Sequence, residues 1–191
     1  MKIIQKGERF VLCDKGAAAI HMDTADHPVQ IYADAGDYPG VLQAAGDLQA
    51  DMERVTDRRP ELSFRMPRTN EAGESPVTTV LIGTFGRSRL IAEAASARGI
   101  DLSALQGKTE MFLTAVAEDT ERPGGTVIFI AGSDKRGTIY GIYTLCEQIG
   151  VSPLHWWGDV PAAAADELYI EPGIYSRGEP KVRYRGIFIN D

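Results

Sequence analysis

Two short apolar runs, each ending in a glycine turn and followed by an amphipathic segment, constrain this chain most. Residues 77–82 are apolar or β-branched, and Gly83-Thr84-Phe85-Gly86 turns them into a helix expected over 87–98, stopped by Gly99. Residues 126–130 repeat the pattern. Gly132-Ser133-Asp134 leads into a helix expected over 135–149, with Ile139, Ile142, Tyr143, Cys146 and Ile149 as its apolar stripe. Asp134 is placed to cap the free N–H groups of that helix, and Gly150 ends it. A strand that feeds a helix has to bury its apolar residues beneath that helix, so the chain reads as α/β.

The remaining segments fit around these units. Strands are expected at 9–13, 18–22 and 29–32, separated by turn-forming Asp14-Lys15-Gly16 and Asp23-Thr24-Ala25-Asp26. Val41, Ala45, Leu48, Met52 and Val55 recur at helical spacing behind Pro39, which suits a first turn, and Arg58-Arg59-Pro60 closes that helix. A short strand at 62–64 precedes a polar loop over 67–76. Residues 111–117 and 126–130 read as a hairpin joined through Pro123-Gly124-Gly125. The fold class is therefore α/β (α+β), a mixed β-sheet flanked by helices. The expected domain plan is an α/β accessory domain over 1–152, then a linker over 153–180 punctuated by Pro153, Pro161, Pro172 and Pro180. Residues 181–191 read as a fresh strand without a partner, so the chain is expected to be cut at Asp191, where a further domain begins.

Charge narrows the partners. Lys and Arg number 20 against 27 Asp and Glu, for a net charge of -7 and no long basic run, which disfavours nucleic acid and anionic membranes. No stretch approaches the roughly 20 apolar residues that span a bilayer, and the first residues lack the apolar core of a signal peptide. Cys13 and Cys146 make no disulfide framework, and Cys146 reads as a buried free thiol.

Chemistry-bearing motifs are sparse. Gly83 to Gly86 and Gly132 to Gly137 sit where a phosphate cradle would. They lack the Gly-Lys-Ser/Thr ending and the third fingerprint glycine, so tight-turn glycines are the favoured reading. His21, His27 and His155 have no partner at metal-ligand spacing, and no metal or cofactor is expected. There is no Gly-x-Ser-x-Gly elbow. Trp156-Trp157 can stack on a sugar ring or wedge two domains together, and their position between a helix and a linker favours the wedge.

The stretch from Ala131 to Leu145, with Arg136-Gly137, Tyr140-Gly141 and Thr144-Leu145, resembles the helix start of the small α/β domain preceding the barrel in β-N-acetylhexosaminidases and some α-glucuronidases. It continues through Gln148-Ile149-Gly150-Val151-Ser152-Pro153 and Trp156-Trp157-Gly158-Asp159-Val160-Pro161 to Tyr184-Arg185-Gly186-Ile187-Phe188-Ile189-Asn190-Asp191. That combination is similar to glycoside hydrolase family 115, the xylan α-1,2-glucuronidases, most closely over residues 131–191. Leu154 and His155 stand where the family carries further aromatics.

The resemblance implies a parent that removes glucuronic acid or its 4-O-methyl ether from xylan, expected to be secreted or periplasmic, and otherwise cytoplasmic. This chain would be its non-catalytic leading domain, partnered in cis by the catalytic barrel, with glucuronoxylan as the intact enzyme's substrate. It implies no catalytic residue within the folded domain and places Asp191 at the rim of the barrel site, with Asn190 beside it for sugar hydroxyls. Arg185 matches the sugar-holding arginine of hexosaminidases, with an interdomain ion pair as its equal alternative. Two rival readings stand: a carbohydrate-binding module using Trp156, Trp157 and Tyr169, and a nucleotide-binding domain through Gly83 to Gly86.

Overall fold

The computed structural model describes residues 2–3, 8–65, 76–119 and 122–186. In chain order its elements are β1 (Lys2–Ile3), β2 (Val11–Leu12), β3 (Ile20–Asp23), β4 (Val29–Ala33), α1 (Pro39–Thr56), β5 (Glu61–Ser63), β6 (Thr78–Thr84) and α2 (Arg89–Ala97). There follow β7 (Phe112–Glu118), β8 (Thr126–Gly132), α3 (Lys135–Ile149), β9 (Leu168–Ile170) and β10 (Gly173–Ser176). Among the described residues a seven-stranded sheet runs β1-β10-β7-β8-β6-β4-β5, and β2-β9-β3 form a second, three-stranded sheet. In the large sheet β7 alone runs against the others, because it returns through a hairpin to β8. The expected mixed sheet flanked by helices is therefore the fold. No helix among the described residues is long and apolar enough to cross a membrane.

Alternation along the central strands divides the interior in two. Val80, Ile82, Ile128 and Ile130 face α1 and α3, packing on Val41, Leu48, Met52, Ile142 and Leu145. Leu81, Val127 and Phe129 face the other way, towards Ile91, Ala95 and Leu105. Burial on both faces explains why 77–82 and 126–130 read as unbroken apolar runs.

Local signals set the helices. The stripe Val41, Ala45, Leu48, Met52 and Val55 is buried throughout, with Pro39 in the first turn of α1. That helix ends at Asp57, in a left-handed conformation (φ 57°), before the Arg58-Arg59-Pro60 stop is reached. Ser88 caps α2, its hydroxyl accepting the Ile91 N–H at 3.2 Å, so the helix starts two residues later than expected. Asp134 accepts the Gly137 N–H at 2.8 Å, and Gly150 (φ 116°) stops α3.

Three expectations need correction. Tyr143 is not on the buried face of α3: it is 43% exposed, and its hydroxyl donates to Asp47 of α1 at 2.6 Å. Gly137 and Gly141 take the sheet-facing side instead, where a side chain would meet Met111 and Ile130. Residues 153–180 are not a linker, because they hold β9, which joins β2 to β3, and β10, which pairs with β7 and β1. Finally, residues 181–186 form no strand. Arg185 folds back onto Glu110, which draws this segment against the domain. Residues 187–191, with Asn190 and Asp191, lie outside the described residues.

The turn after β3 carries an acid-sensitive histidine. His27 is buried and stacks on His21 with ring centroids 5.6 Å apart. Burial first, and the His21 ring second, hold the His27 pKa below its ordinary 6.5, against an opposing pull from Asp23. The unfolded chain takes up this proton near pH 6.5 and the folded chain only at lower pH. Stability is therefore lost as pH falls from about 6.5 through the depressed value. Urea midpoints should drop between pH 7 and 5, and His27→Gln should flatten that slope. An unchanged slope would remove His27 from the account.

Candidate functional site

In an open parallel sheet, ligands bind beyond the carboxyl ends of the strands. In this chain β4, β6 and β8 run to that edge, and α1, α2 and α3 start there. Three carboxylates of the chain already fill the anion positions. The Asp34 Oδ2 accepts the Arg89 N–H at 2.9 Å, the Leu90 N–H at 3.4 Å and the Ser88 hydroxyl at 3.3 Å, while Oδ1 accepts the Gly36 N–H at 2.9 Å. These donors, the Gly36 N–H foremost, hold its carboxyl below the usual range. Asp37 accepts the Thr84 N–H at 2.7 Å and its hydroxyl at 2.8 Å, and Thr84 Oγ1 lies 2.9 Å from Thr138 Oγ1. Asp134 accepts the N–H groups of Gly137 and Glu110, each at 2.8 Å. A phosphate at Gly83 to Gly86 would have to displace Asp34 and Asp37. Gly86 (φ 74°) is a turn glycine.

Among the described residues, a developed concavity lies on the outer side of α3. It is a cleft of about 400 Å³ lined by Phe112, Tyr140, Tyr143, Pro153, Arg177 and Arg185 among others. A second hollow of about 240 Å³ shares Tyr143 and Pro153 with it and reaches Cys146 and Trp156. The two hollows adjoin at Tyr143 and Pro153 and are together called the α3 groove.

Glu110 anchors the first hollow. It is buried in a left-handed conformation (φ 54°), its N–H held by Asp134, and it accepts Arg136 at 2.9 Å and Arg185. Arg185 also donates to the Tyr140 hydroxyl at 3.3 Å and to the Val182 carbonyl, and Glu110 raises its pKa further. Arg177 pairs with Glu147, and Arg54 with Asp51. Burial first, then Asp51, pushes the Cys146 thiol up, so it is an inert neutral group.

The charged walls are thus matched in pairs. That arrangement suits packing or hydrogen bonding better than nucleophilic or acid–base chemistry, which needs a group with its reactive form free. Among the described residues no group of three His, Cys, Asp or Glu could hold a metal ion.

Of the residues singled out in the sequence, Arg185 lies in this groove with its donors turned to the domain's own acceptors. Trp156 lines the groove at 68% exposure, with Arg54 5.2 Å from its ring centroid and His155 edge-on at 5.4 Å. Trp157 is 87% exposed. Tyr169 is not beside them: it is buried in the small sheet against His21, its hydroxyl donating to Glu167, so the three-ring sugar platform does not form. Glu110, Glu147 and Arg177 escaped the sequence reading. Only the Arg136-Gly137, Tyr140-Gly141 series hinted at the groove: its glycines face the sheet, while Arg136 and Tyr140 turn outward and bond each other at 3.1 Å.

Comparison with known proteins finds no matching family model and no matching curated protein. Among solved structures, a family GH115 4-O-methyl-α-glucuronidase with specificity for decorated arabinogalactans is similar at 29% identity and a TM-score of 0.63. The likeness covers 82% of this chain and 18% of that one. Streptomyces plicatus β-hexosaminidase gives 15% identity, 90% and 25% coverage and a TM-score of 0.44. Flavobacterium johnsoniae chitobiase gives 14%, 98% and 22%, and 0.45. The fold is thus related to one found in a glycoside hydrolase, and the chain spans less than a fifth of the length of the glucuronidase it resembles.

Proposed function

We propose that this chain is a non-catalytic domain of a glycoside hydrolase of the family 115 kind. The intact, secreted or periplasmic enzyme removes glucuronic acid or its 4-O-methyl ether from xylan side chains. The likeness to the GH115 4-O-methyl-α-glucuronidase, 29% identical over 82% of this chain, carries the reading. The matched charges of the α3 groove support the non-catalytic half, since each carboxylate that could act there is held by a guanidinium. The domain's partner on this reading is the catalytic barrel of the same polypeptide, which it props rather than assists chemically.

Two measurements test the two halves. The 191-residue chain, incubated with glucuronoxylan or with a uronate-decorated arabinogalactan, is expected to release no uronic acid. Release at enzyme-like rates, on the order of 1 per second or more, would show that the chain is itself a catalyst. The full gene product should release 4-O-methylglucuronic acid, and its failure on both glycans would sink the glucuronidase assignment.

A further inference from the structure

We infer that the outer side of α3, from Arg185 across Tyr140 and Tyr143 to Trp156 and Trp157, is the seat of the adjoining domain of the same polypeptide. This rests on the chain being one domain of a longer enzyme, and it specifies the face that meets the rest. The two helical faces differ. The apolar residues of α2, Ile91, Ala94 and Ala95, are turned inward, and no large exposed apolar side chain among the described residues belongs to that helix. The α1/α3 side instead presents Tyr143 at 43%, Leu154 at 59%, Trp156 at 68% and Trp157 at 87% exposure, next to the cleft floored by Phe112 and Tyr140. Apolar surface gathered in one place marks an interaction site, where singly scattered residues would not. Tryptophan and tyrosine are also the side chains that dominate interface energies.

The occupant follows from charge and from connectivity. Burying an ion whose partner is missing is strongly unfavourable. In this groove Glu110, Glu147 and Asp51 each bring a guanidinium, so a protein surface can cover them without stranding a charge. Residues 177–186 are pinned along this same side, by Arg177 on Glu147 and by Arg185 on Glu110 and Tyr140. A domain carried on that segment meets the groove at an effective concentration on the order of millimolar. A second copy of the chain or a free oligosaccharide has to compete from bulk solution. Glu110 is the positioning residue of this arrangement, since its buried carboxylate fixes where the segment departs.

Hydroxyl-radical footprinting tests the assignment. In the 191-residue chain Trp156 and Trp157 should oxidise freely. In the full gene product their oxidation should fall at least ~5-fold, as expected when an exposed indole is buried in an interface core. Phe64, 41% exposed just beyond the β5 edge strand, should oxidise equally in both. A Trp156→Ala, Trp157→Ala double variant should leave the midpoint of the 191-residue chain within ~2 °C, because exposed side chains contribute little, and should lower it in the full product. Equal oxidation of the two tryptophans in both proteins overturns the proposal. So does protection that rises with the concentration of the 191-residue chain, which assigns the groove to a second copy. Protection that appears only with added xylo-oligosaccharide overturns it in favour of a glycan. The glucuronidase reading fails separately: uronic acid release can be absent while the footprint persists. A gene product with no second domain removes both.

Discussion

Gly137→Ala is expected to destabilise the domain by about 3 kcal/mol or more. A methyl group there would stand 2.2 Å from the Met111 carbonyl oxygen and 3.0 Å from its carbon, and both are backbone atoms. No rotamer change relieves such a clash. The start of α3 would have to lift off β7, yet Asp134 ties the two together through the N–H groups of Gly137 and Glu110. Forced overpacking of this kind costs several kcal/mol, about 3 or more, against a total stability of about 5–15 kcal/mol for an ordinary domain. Gly46→Ala in α1 is the matching control, because nothing lies within 4 Å of the added methyl. It should stabilise by roughly 0.5–1 kcal/mol through helix propensity alone. Urea unfolding followed by far-UV circular dichroism reads both. A Gly137→Ala protein within 1 kcal/mol of the parent, by the ordinary error of such values, would mean that α3 does not approach β7 this closely.

The second large effect is expected at Asp37. Its carboxylate is buried and satisfies the Thr84 N–H, the Thr84 hydroxyl and the Tyr38 N–H at 2.7 Å. Alanine would strand the Thr84 N–H at the end of β6, where Thr84 is buried. An unsatisfied buried donor costs about 1–3 kcal/mol, and the lost charge-assisted bonds add to it. The total of about 3 kcal/mol corresponds to a fall of roughly 6–12 °C in the thermal midpoint of a domain this size. Asp37→Asn should fall in between, since an amide oxygen can still accept the Thr84 N–H. An alanine variant that melts with the parent would show that water or another acceptor serves this donor.

Where structure was legible in the sequence, its cause was local. The α3 helix runs from the cap at Asp134 to the stop at Gly150, as read, because both signals act within one turn. The β7–β8 hairpin follows from its turn, and the apolar strands from burial on both faces. Tyr143 was misplaced because apolar counting gives glycine no weight, while in α3 glycine marks the side that comes closest to the sheet. Strands β9 and β10 were hidden for a different reason. Each is three or four residues long and flanked by proline-rich chain, and their pairings with β2, β3 and β1 reach across most of the sequence. The candidate groove was legible only as residue types: Arg185 and Trp156 stood out, but Glu110 gains its meaning from a tail that folds back to it. Asp34 and Asp37 carried no motif, although they occupy the edge where such a sheet would take a ligand.

The pairing of β1 with β10 sets Lys2 beside Tyr175 and Ile3 beside Ser176, and β9 joins β2 to β3 from the same late stretch. The segments synthesised first therefore wait for segments synthesised near residue 170. While the chain is emerging, the unit from β4 to α3 can assemble, but β7 keeps one border open until β10 arrives. An open strand border is a template for pairing with a neighbouring chain. A version ending at residue 152, where the sequence suggested a boundary, would carry that border permanently and should precipitate during expression.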